Sequence, residues 1–306
     1  MTLPHTHGTK PGRDAALAVL LGILAALMGL APWLVTGAQL PLQNLWATEA
    51  APETMPLSLL PLSQYKLTVL VGLLTVGGAV AGLAVRVWAP VRRRLVTRCA
   101  AAGVLIVHFT AVVQSFAVVD AGLVPGTPSR IYVAGLLAGV IASVLAGLVA
   151  LFLLASPSRT RLALGVGFMA APFVGWGADW FYSIVGAAHA GPISSLLFRW
   201  LPAVLVGLAL AWCGVRPWRR LWVWAMDLLL LWVVPALFIS VNYVFGTRVM
   251  LGDAGEMLLM GRDILKATLG PDGGAGPLLL LALVIGLAGA GVQLLVRRRR
   301  ALQPAP

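Results

Sequence analysis

Eight long apolar stretches constrain this sequence more than any other feature. The apolar core of a membrane, about 30 Å thick, is crossed by a helix of about 20 apolar residues. The stretches do not alternate between apolar and polar residues, and this favours helices, because backbone exposed to lipid must satisfy its own hydrogen bonds. We therefore predict an all-α, polytopic transmembrane bundle of eight spans. The spans cover residues 15–36, 66–88, 99–121, 131–155, 162–186, 196–215, 221–246 and 277–296.

Composition excludes several classes of protein. Hydrophobic residues make up 60% of the 306 residues and charged residues only 10%, whereas about a quarter of the residues in a soluble domain are charged. These values exclude a soluble enzyme, a nucleic-acid-binding module, a disordered chain and a disulfide scaffold. The net charge of +12 does not indicate a nucleic-acid partner, because the basic residues cluster between the apolar stretches. The partner that the composition predicts is a lipid bilayer.

The basic residues also predict the orientation of the bundle. Eight spans place both termini on one side, and sixteen of the 22 basic residues fall there, against eight of the ten acidic residues on the other side. We predict cytoplasmic termini in a bacterial cytoplasmic membrane, and the excess of Arg over Lys suggests a GC-rich organism. The basic residues on the side of the termini are Lys10, Arg13, Arg86, Arg92, Arg93, Arg94, Arg98, Arg159, Arg161, Arg216, Arg219, Arg220 and residues 297–300.

The predicted organisation is a cytoplasmic tail (1–14), the bundle (15–296) and a basic cytoplasmic tail (297–306). The first span resembles a signal peptide, but its apolar run exceeds the usual core of about 7–15 residues, and an uncleaved anchor is favoured. The segment 69–73 recurs as 204–208, each followed by a turn rich in Trp, Pro and Arg. This recurrence is compatible with two four-helix halves related by an axis along the membrane normal.

Two outer loops are long enough to fold. Loop 37–65 is rich in Pro and Leu, and we expect it to lie back on the outer face with Trp46 and Tyr65 at the interface. Loop 247–276 contains a predicted helix, with Asp253 and Glu256 at the spacing of a capping box and Gly270-Pro271 as its end. We expect this helix to pack on its own bundle; binding to a partner is the alternative. Its apolar face comprises Met257, Met260, Ile264 and Leu265.

Ionisable and polar residues inside the spans are the candidate functional residues. Asp227 lies near the cytoplasmic end of span seven, where an ion pair with Arg219, Arg220 or a neighbouring basic loop is favoured over a functional role. His108 and Gln114 lie in span three, where His108 shares a face with Ser115 and a hydrogen-bonding role between helices is favoured over ligation. The remaining candidates are Asp179 and Arg199, which could form an ion pair that closes the hairpin of spans five and six. Asn242 and Tyr243, near the outer end of span seven, could hydrogen-bond to neighbouring helices.

Small residues recur every four positions in span four, at Gly135, Gly139, Ser143 and Gly147. Such a stripe lets another helix approach closely, either within the chain or in another subunit.

Three prolines inside spans five, six and seven predict kinks. They are Pro172, Pro202 and Pro235.

The sequence contains none of the zinc-binding, nucleophile-elbow or phosphate-loop motifs, so we predict no catalytic residue, no cofactor and no metal site. The two cysteines, Cys99 and Cys213, lie at the predicted reducing side. We favour a non-enzymatic structural or assembly component that binds a membrane-protein partner or a second copy of itself. A small-molecule or ion transporter or channel subunit is the alternative. An envelope enzyme using Glu49 and Glu53 of the first outer loop is a third hypothesis with less support.

Overall fold

The computed structural model describes residues 11–88, 90–186, 188–246 and 254–302, without side chains at residues 254 and 297–302. Eight of the helices in these ranges are long and apolar enough to cross a membrane, which confirms the predicted number of spans. The fold is thus all-helical and compatible with a multi-pass integral membrane protein. The helices are α1 (Pro11–Val35), α2 (Leu67–Trp88), α3 (Arg93–Gly122), α4 (Thr127–Leu154), α5 (Arg159–Val185), α6 (Pro192–Cys213), α7 (Leu221–Gly246), α8 (Ala254–Leu269) and α9 (Gly276–Leu302).

The helix bounds differ from the predicted spans mainly at the basic ends. Helix α1 begins at Pro11, and α9 continues through the arginine run to Leu302, so part of each predicted tail is helical. Helix α3 begins at Arg93, six residues before the predicted span. Hydropathy marks only the apolar part of a helix, whereas the backbone hydrogen bonds continue into the polar boundary.

Helix α2 lies at the centre of the bundle and contacts α1, α3, α4, α5 and α7. It is two-thirds buried over its apolar core, more than any other span. Glycines make these close contacts possible: Gly77 faces the backbone of Ala26 on α1, and Gly78 faces the backbone of Gly147 on α4. Because lipid provides little hydrophobic drive for helix association, such close backbone packing is the main source of cohesion here.

The first four spans and the last four spans, called here the two halves by their order along the chain, pack in the same pairs. In the first half, α1 contacts α2 and α3, α2 contacts α3 and α4, and α3 contacts α4. In the second half, α5 contacts α6 and α7, α6 contacts α7 and α9, and α7 contacts α9. The two halves join chiefly where α5 packs against α2 and α4.

Within the described chain, only one end of the small-residue stripe of α4 packs against another helix. Ser143 and Gly147 are buried, and a Cβ atom at Gly147 would lie 2.8 Å from the carbonyl oxygen of Leu74 on α2. A Cβ atom at Gly135 or Gly139 would meet no atom of the described residues outside its own helix backbone within 4 Å. The end of the bundle at which α1 begins and α9 ends is called here the termini end. The stripe therefore packs against α2 toward the termini end and stays open toward the opposite end.

Helix α8 packs along α7, as expected from its apolar face. The hydroxyl of Ser240 on α7 donates to the carbonyl oxygen of Gly261, and α8 ends at Leu269 before Gly270-Pro271. The charged residues Arg262 and Asp263 are exposed, whereas the residues of the predicted apolar face are half-buried. These apolar residues are Met257, Met260, Ile264 and Leu265. The predicted cap Asp253 lies outside the described residues.

Four of the helices contain an internal proline. The prolines are Pro32 in α1, Pro172 in α5, Pro202 in α6 and Pro235 in α7. Each helix continues through its proline. The kinks stay a prediction, based on the backbone hydrogen bond that each proline removes.

Candidate functional site

The segment 37–66, called here the lid, folds over the end of the bundle opposite the termini. Its side chains Leu40, Leu60 and Leu62 are fully buried and form one core with residues of α2, α3 and α4. The lid also pairs with itself, since the backbone N–H of Leu40 donates to the carbonyl oxygen of Pro56 and that of Ser58 donates to the carbonyl oxygen of Ala38. The expectation that this loop lies back on the bundle is met, and the loop penetrates the helices further than a surface layer would.

Gln114 and Ser115 of α3 hold the lid in place. The backbone N–H groups of Leu59 and Leu60 donate to Oε1 of Gln114 at 2.9 Å and to Oγ of Ser115 at 2.8 Å, and Nε2 of Gln114 donates to the carbonyl oxygen of Leu57 at 2.9 Å. Irregular backbone at this depth needs such partners, because an unpaired buried amide is costly. Gln114, a candidate functional residue of the sequence, is therefore a positioning residue of the lid.

Three further side chains complete this attachment. Nε1 of Trp33 donates to the carbonyl oxygen of Ser58 at 2.8 Å, and the hydroxyl of Tyr132 donates to Oε1 of Gln43 at 2.5 Å. Nε2 of Gln43 donates in turn to the carbonyl oxygen of Leu62. Sequence reasoning missed these residues, because no local pattern indicates a bond between positions 25 or 89 residues apart.

The lid residues predicted to lie at the membrane interface, Trp46 and Tyr65, are packed differently. The ring of Trp46 lies against Gly122 at the end of α3, where a Cβ atom would collide with it. The backbones of Ala47 and Gly122, and of Leu45 and Val124, are hydrogen-bonded beside it. Tyr65 is 39% exposed. The side chain of Trp46 thus packs between the lid and the end of α3.

His108 lies two turns from Ser115 on the same face of α3, as the spacing predicts. The imidazole is buried, and neither ring nitrogen has a hydrogen-bond partner within the described residues. The predicted hydrogen bond between helices is therefore not made in this structure. His108 does not join the group of side chains that binds the lid.

Asp227 occupies the crossing of α7 with α5 near the termini end. Its side chain is fully buried, neither carboxyl oxygen has a hydrogen-bond partner among the described residues, and its carboxyl group lies against Gly167. The predicted ion pair with Arg219 or Arg220 is wrong. The guanidinium of Arg220 instead donates to the carbonyl oxygen of Cys213 at 2.6 Å, where it caps the end of α6.

The predicted ion pair between Asp179 and Arg199 is also wrong. The salt bridge that the described part of the chain contains is Arg262–Asp263 on α8, and the guanidinium of Arg199 lies 5.7 Å from the ring centre of Trp200. Aromatic rings close this hairpin instead, with Tyr182 of α5 at 5.7 Å from Phe198 of α6 between ring centres. The charges of Asp179 and Arg199 in the sequence do not distinguish a hairpin closed by an ion pair from one closed by aromatic rings.

Asn242 contacts a neighbouring helix, as predicted. Its Nδ2 atom donates to the hydroxyl of Thr68 on α2 at 3.2 Å. This bond links α7 to α2 close to the lid, and it connects the two halves of the chain at that end.

Comparison with protein-family models, with curated proteins and with solved structures finds no match for this chain. The assignment of function therefore rests on the geometry of the chain itself. Two regions stand out: the lid with its attachment to α3, and the buried carboxyl group of Asp227.

Proposed function

We propose that the protein is a non-enzymatic structural or assembly component of a complex in a bacterial cytoplasmic membrane. In this proposal the lid faces outward and both termini are cytoplasmic. The distribution of basic residues supports the orientation, since sixteen of the 22 lie on the side of the termini.

The fixed geometry of the lid is the observation that carries this proposal. The lid is bonded to α3 and α4, and it exposes the side chains of Leu57 and Leu42, at 67% and 48%. A recess of about 280 Å³ lies in the lid, lined in part by Trp46 and Glu49. A fixed surface with exposed apolar side chains suits a protein partner, because little further ordering is needed on binding.

The open part of the α4 stripe supports a second contact, within the membrane. Gly135 and Gly139 leave room for another helix to approach α4, and no atom of the described chain fills that room. Close backbone packing of this kind drives association in lipid. The occupant in this proposal is a span of the partner protein or of a second copy.

We further propose that the chain consists of two related four-helix halves. The matching pairs of helices in the two halves support this proposal, as does the recurrence of residues 69–73 at 204–208. An even number of spans per half gives both halves the same orientation, with the axis along the membrane normal.

Photocrosslinking from the lid tests the proposed role. A photoreactive amino acid at Leu57 should give one crosslinked product of defined mass in cells, whereas the same residue at Phe109, which is 71% exposed on a span, should not. Purification in mild detergent should then recover that partner in stoichiometric amount, and Leu57→Glu should lose it while Phe109→Ala retains it. A monodisperse monomer with no crosslinked product would contradict the proposal.

A transporter or channel subunit is the second candidate, and Asp227 favours it. A fully buried carboxyl group with no partner among the described residues is costly inside a membrane and typical of ion or proton pathways. If this candidate is correct, the purified protein in liposomes should show proton-coupled uptake, and Asp227→Asn should abolish that uptake without changing its expression. Absence of uptake in the unaltered protein would reject it.

A further inference from the structure

Two arginines converge on one tryptophan at the termini end of the bundle. The guanidinium carbons of Arg86 on α2 and Arg159 on α5 lie 5.4 Å and 5.0 Å from a ring centre of Trp212 on α6. Arg86 is fixed further by donating to the carbonyl oxygen of Ser156. These contacts hold two positive charges, from two different helices, against the tryptophan of a third helix.

No carboxylate of the described chain lies within salt-bridge distance of these arginines. The acidic residues predicted for this end are Asp14 and Asp227, and Asp227 is buried against Gly167. Arg159 is exposed at the surface. Arg86 is half-buried. Within the described chain the two guanidinium groups thus form a positive site that has no paired carboxylate and is open to the surface at Arg159.

An apolar groove adjoins the pair. It lies between α5 and α6, has a volume of about 240 Å³, and includes Trp212 in its wall. Leu208, which is 56% exposed on a span, forms another part of the wall, so the groove opens toward the lipid. The other lining residues are Leu162, Ala163, Val166, Leu205 and Ala209.

We propose that this groove and the two arginines form a binding site for an anionic phospholipid. The phosphate binds between the guanidinium groups of Arg86 and Arg159, which offer the forked donors that phosphate oxygens accept. One acyl chain lies in the groove, and Trp212 marks the boundary between headgroup and chain, the usual depth of tryptophan in membranes. Basic pockets between transmembrane helices are a known form of lipid recognition.

The combination of features favours a lipid over free phosphate. A phosphate ion would use the arginines but leave the groove empty, whereas a phospholipid joins both parts in one molecule. The site requires that the bundle crosses a membrane, but it does not depend on the proposed assembly role. Both parts lie at the same end of α5 and α6, where lipid headgroups reach the helices.

Native mass spectrometry of the full-length protein in mild detergent tests this site. Phosphatidylglycerol should be retained in preference to phosphatidylcholine with the same acyl chains. Arg159→Gln should weaken the apparent affinity for phosphatidylglycerol about fivefold. Arg159→Lys keeps the charge but loses the forked donors, so it should restore only part of the affinity. The matched control is Arg161→Gln, which removes an exposed charge of the same helix and should change the affinity less than about twofold.

Several outcomes would overturn the proposal. They are equal retention of the two lipids, an equal loss from Arg161→Gln and Arg159→Gln, or displacement of phosphatidylglycerol by the same concentration of inorganic phosphate. Ala209→Leu fills the groove and should also weaken binding of phosphatidylglycerol, and unchanged binding would contradict the acyl-chain site. If that variant does not fold, Leu208→Ser removes an exposed apolar part of the wall and should likewise weaken binding of phosphatidylglycerol, whereas unchanged binding would contradict the acyl-chain site.

Discussion

Gly167 of α5 lies directly against the carboxyl group of Asp227 of α7, so that a Cβ atom at position 167 would collide with that group. A glycine at this position is the condition for burying the carboxyl group between the two helices. In the first half, the crossing of α1 with α3 pairs Gly22 with the backbone of Ala100. The crossing of α5 with α7 thus buries a carboxyl group, whereas Gly22 at the crossing of α1 with α3 faces backbone atoms.

Gly167→Ala should lower the free energy of unfolding by about 1–3 kcal/mol, the usual cost of overpacking. Asp227 is short and fully buried, so it has little freedom to move away from a new methyl group. Thermal unfolding in detergent measures the effect. Gly175→Ala is the matched control, because a Cβ atom there meets nothing within 4 Å in the part of the chain that the structure describes. Equal stability of the two variants would show that this helix crossing is not tight.

Asp227→Ala should leave the free energy of unfolding unchanged within about 1 kcal/mol or increase it. Each unpartnered polar group in the interior costs about 1–3 kcal/mol, and the variant removes two such oxygens at the expense of a small cavity. The carboxyl group makes no hydrogen bond within the described chain that would offset this cost. A loss of more than about 3 kcal/mol would mean that Asp227 has a stabilising partner.

The double variant of Gly167→Ala with Asp227→Ala tests whether the two effects share one contact. Removing the carboxyl group makes room for the new methyl group, so the cost of Gly167→Ala should fall below about 0.5 kcal/mol in this background. Additive effects would contradict direct contact between the two residues. The comparison uses the same unfolding measurement for all four proteins.

Ser115→Ala should loosen the lid. The variant leaves the backbone N–H of Leu60 without a partner, which costs about 1–3 kcal/mol. A single cysteine at Leu60, which is fully buried, should then react faster with a thiol reagent. Thr110→Ala is the control on the same helix, since its hydroxyl donates to the carbonyl oxygen of Ile106 on its own helix. The lid would not depend on α3 if both variants gave the same labelling rate.

Gly147→Leu and Gly139→Leu should behave differently, although both lie on one stripe. Gly147→Leu should lower the melting temperature of the purified monomer, because the new side chain would displace α2. Gly139→Leu should leave the monomer folded and remove any helix that packs on the open part of α4. Melting temperature and recovery of the partner distinguish the two effects. A destabilised monomer from Gly139→Leu would show that this position is packed within the chain.

The positions of the spans could be predicted from the sequence to within a few residues. Hydropathy is a local property, and the length of a span is set by the thickness of the membrane. The apolar face of α8 could be predicted for the same reason, since Met257 and Met260 follow helical periodicity.

Contacts between distant residues could not be predicted in this way. The predicted ion pairs of Asp227 and Asp179 failed because opposite charges near the same end of neighbouring helices need not face each other. The role of Gln114 depends on the lid lying 55 residues away along the chain. The stripe of α4 indicated close packing, but only the position of α2 shows that Gly147 is packed and Gly139 is open.

Thiol labelling of intact cells tests the central claim most directly, namely that the lid is outside and the termini end is cytoplasmic. Single cysteines are introduced at exposed positions after Cys99 and Cys213 are replaced by serine. With a membrane-impermeant reagent, cysteines at Thr48 in the lid and at Leu258 on α8 should be labelled in intact cells. Cysteines at Arg94 and Pro157, both exposed at the termini end, should be labelled only after lysis. Labelling at Arg94 in intact cells, or protection at Thr48, would contradict both the orientation and the outward-facing lid on which the proposed function depends.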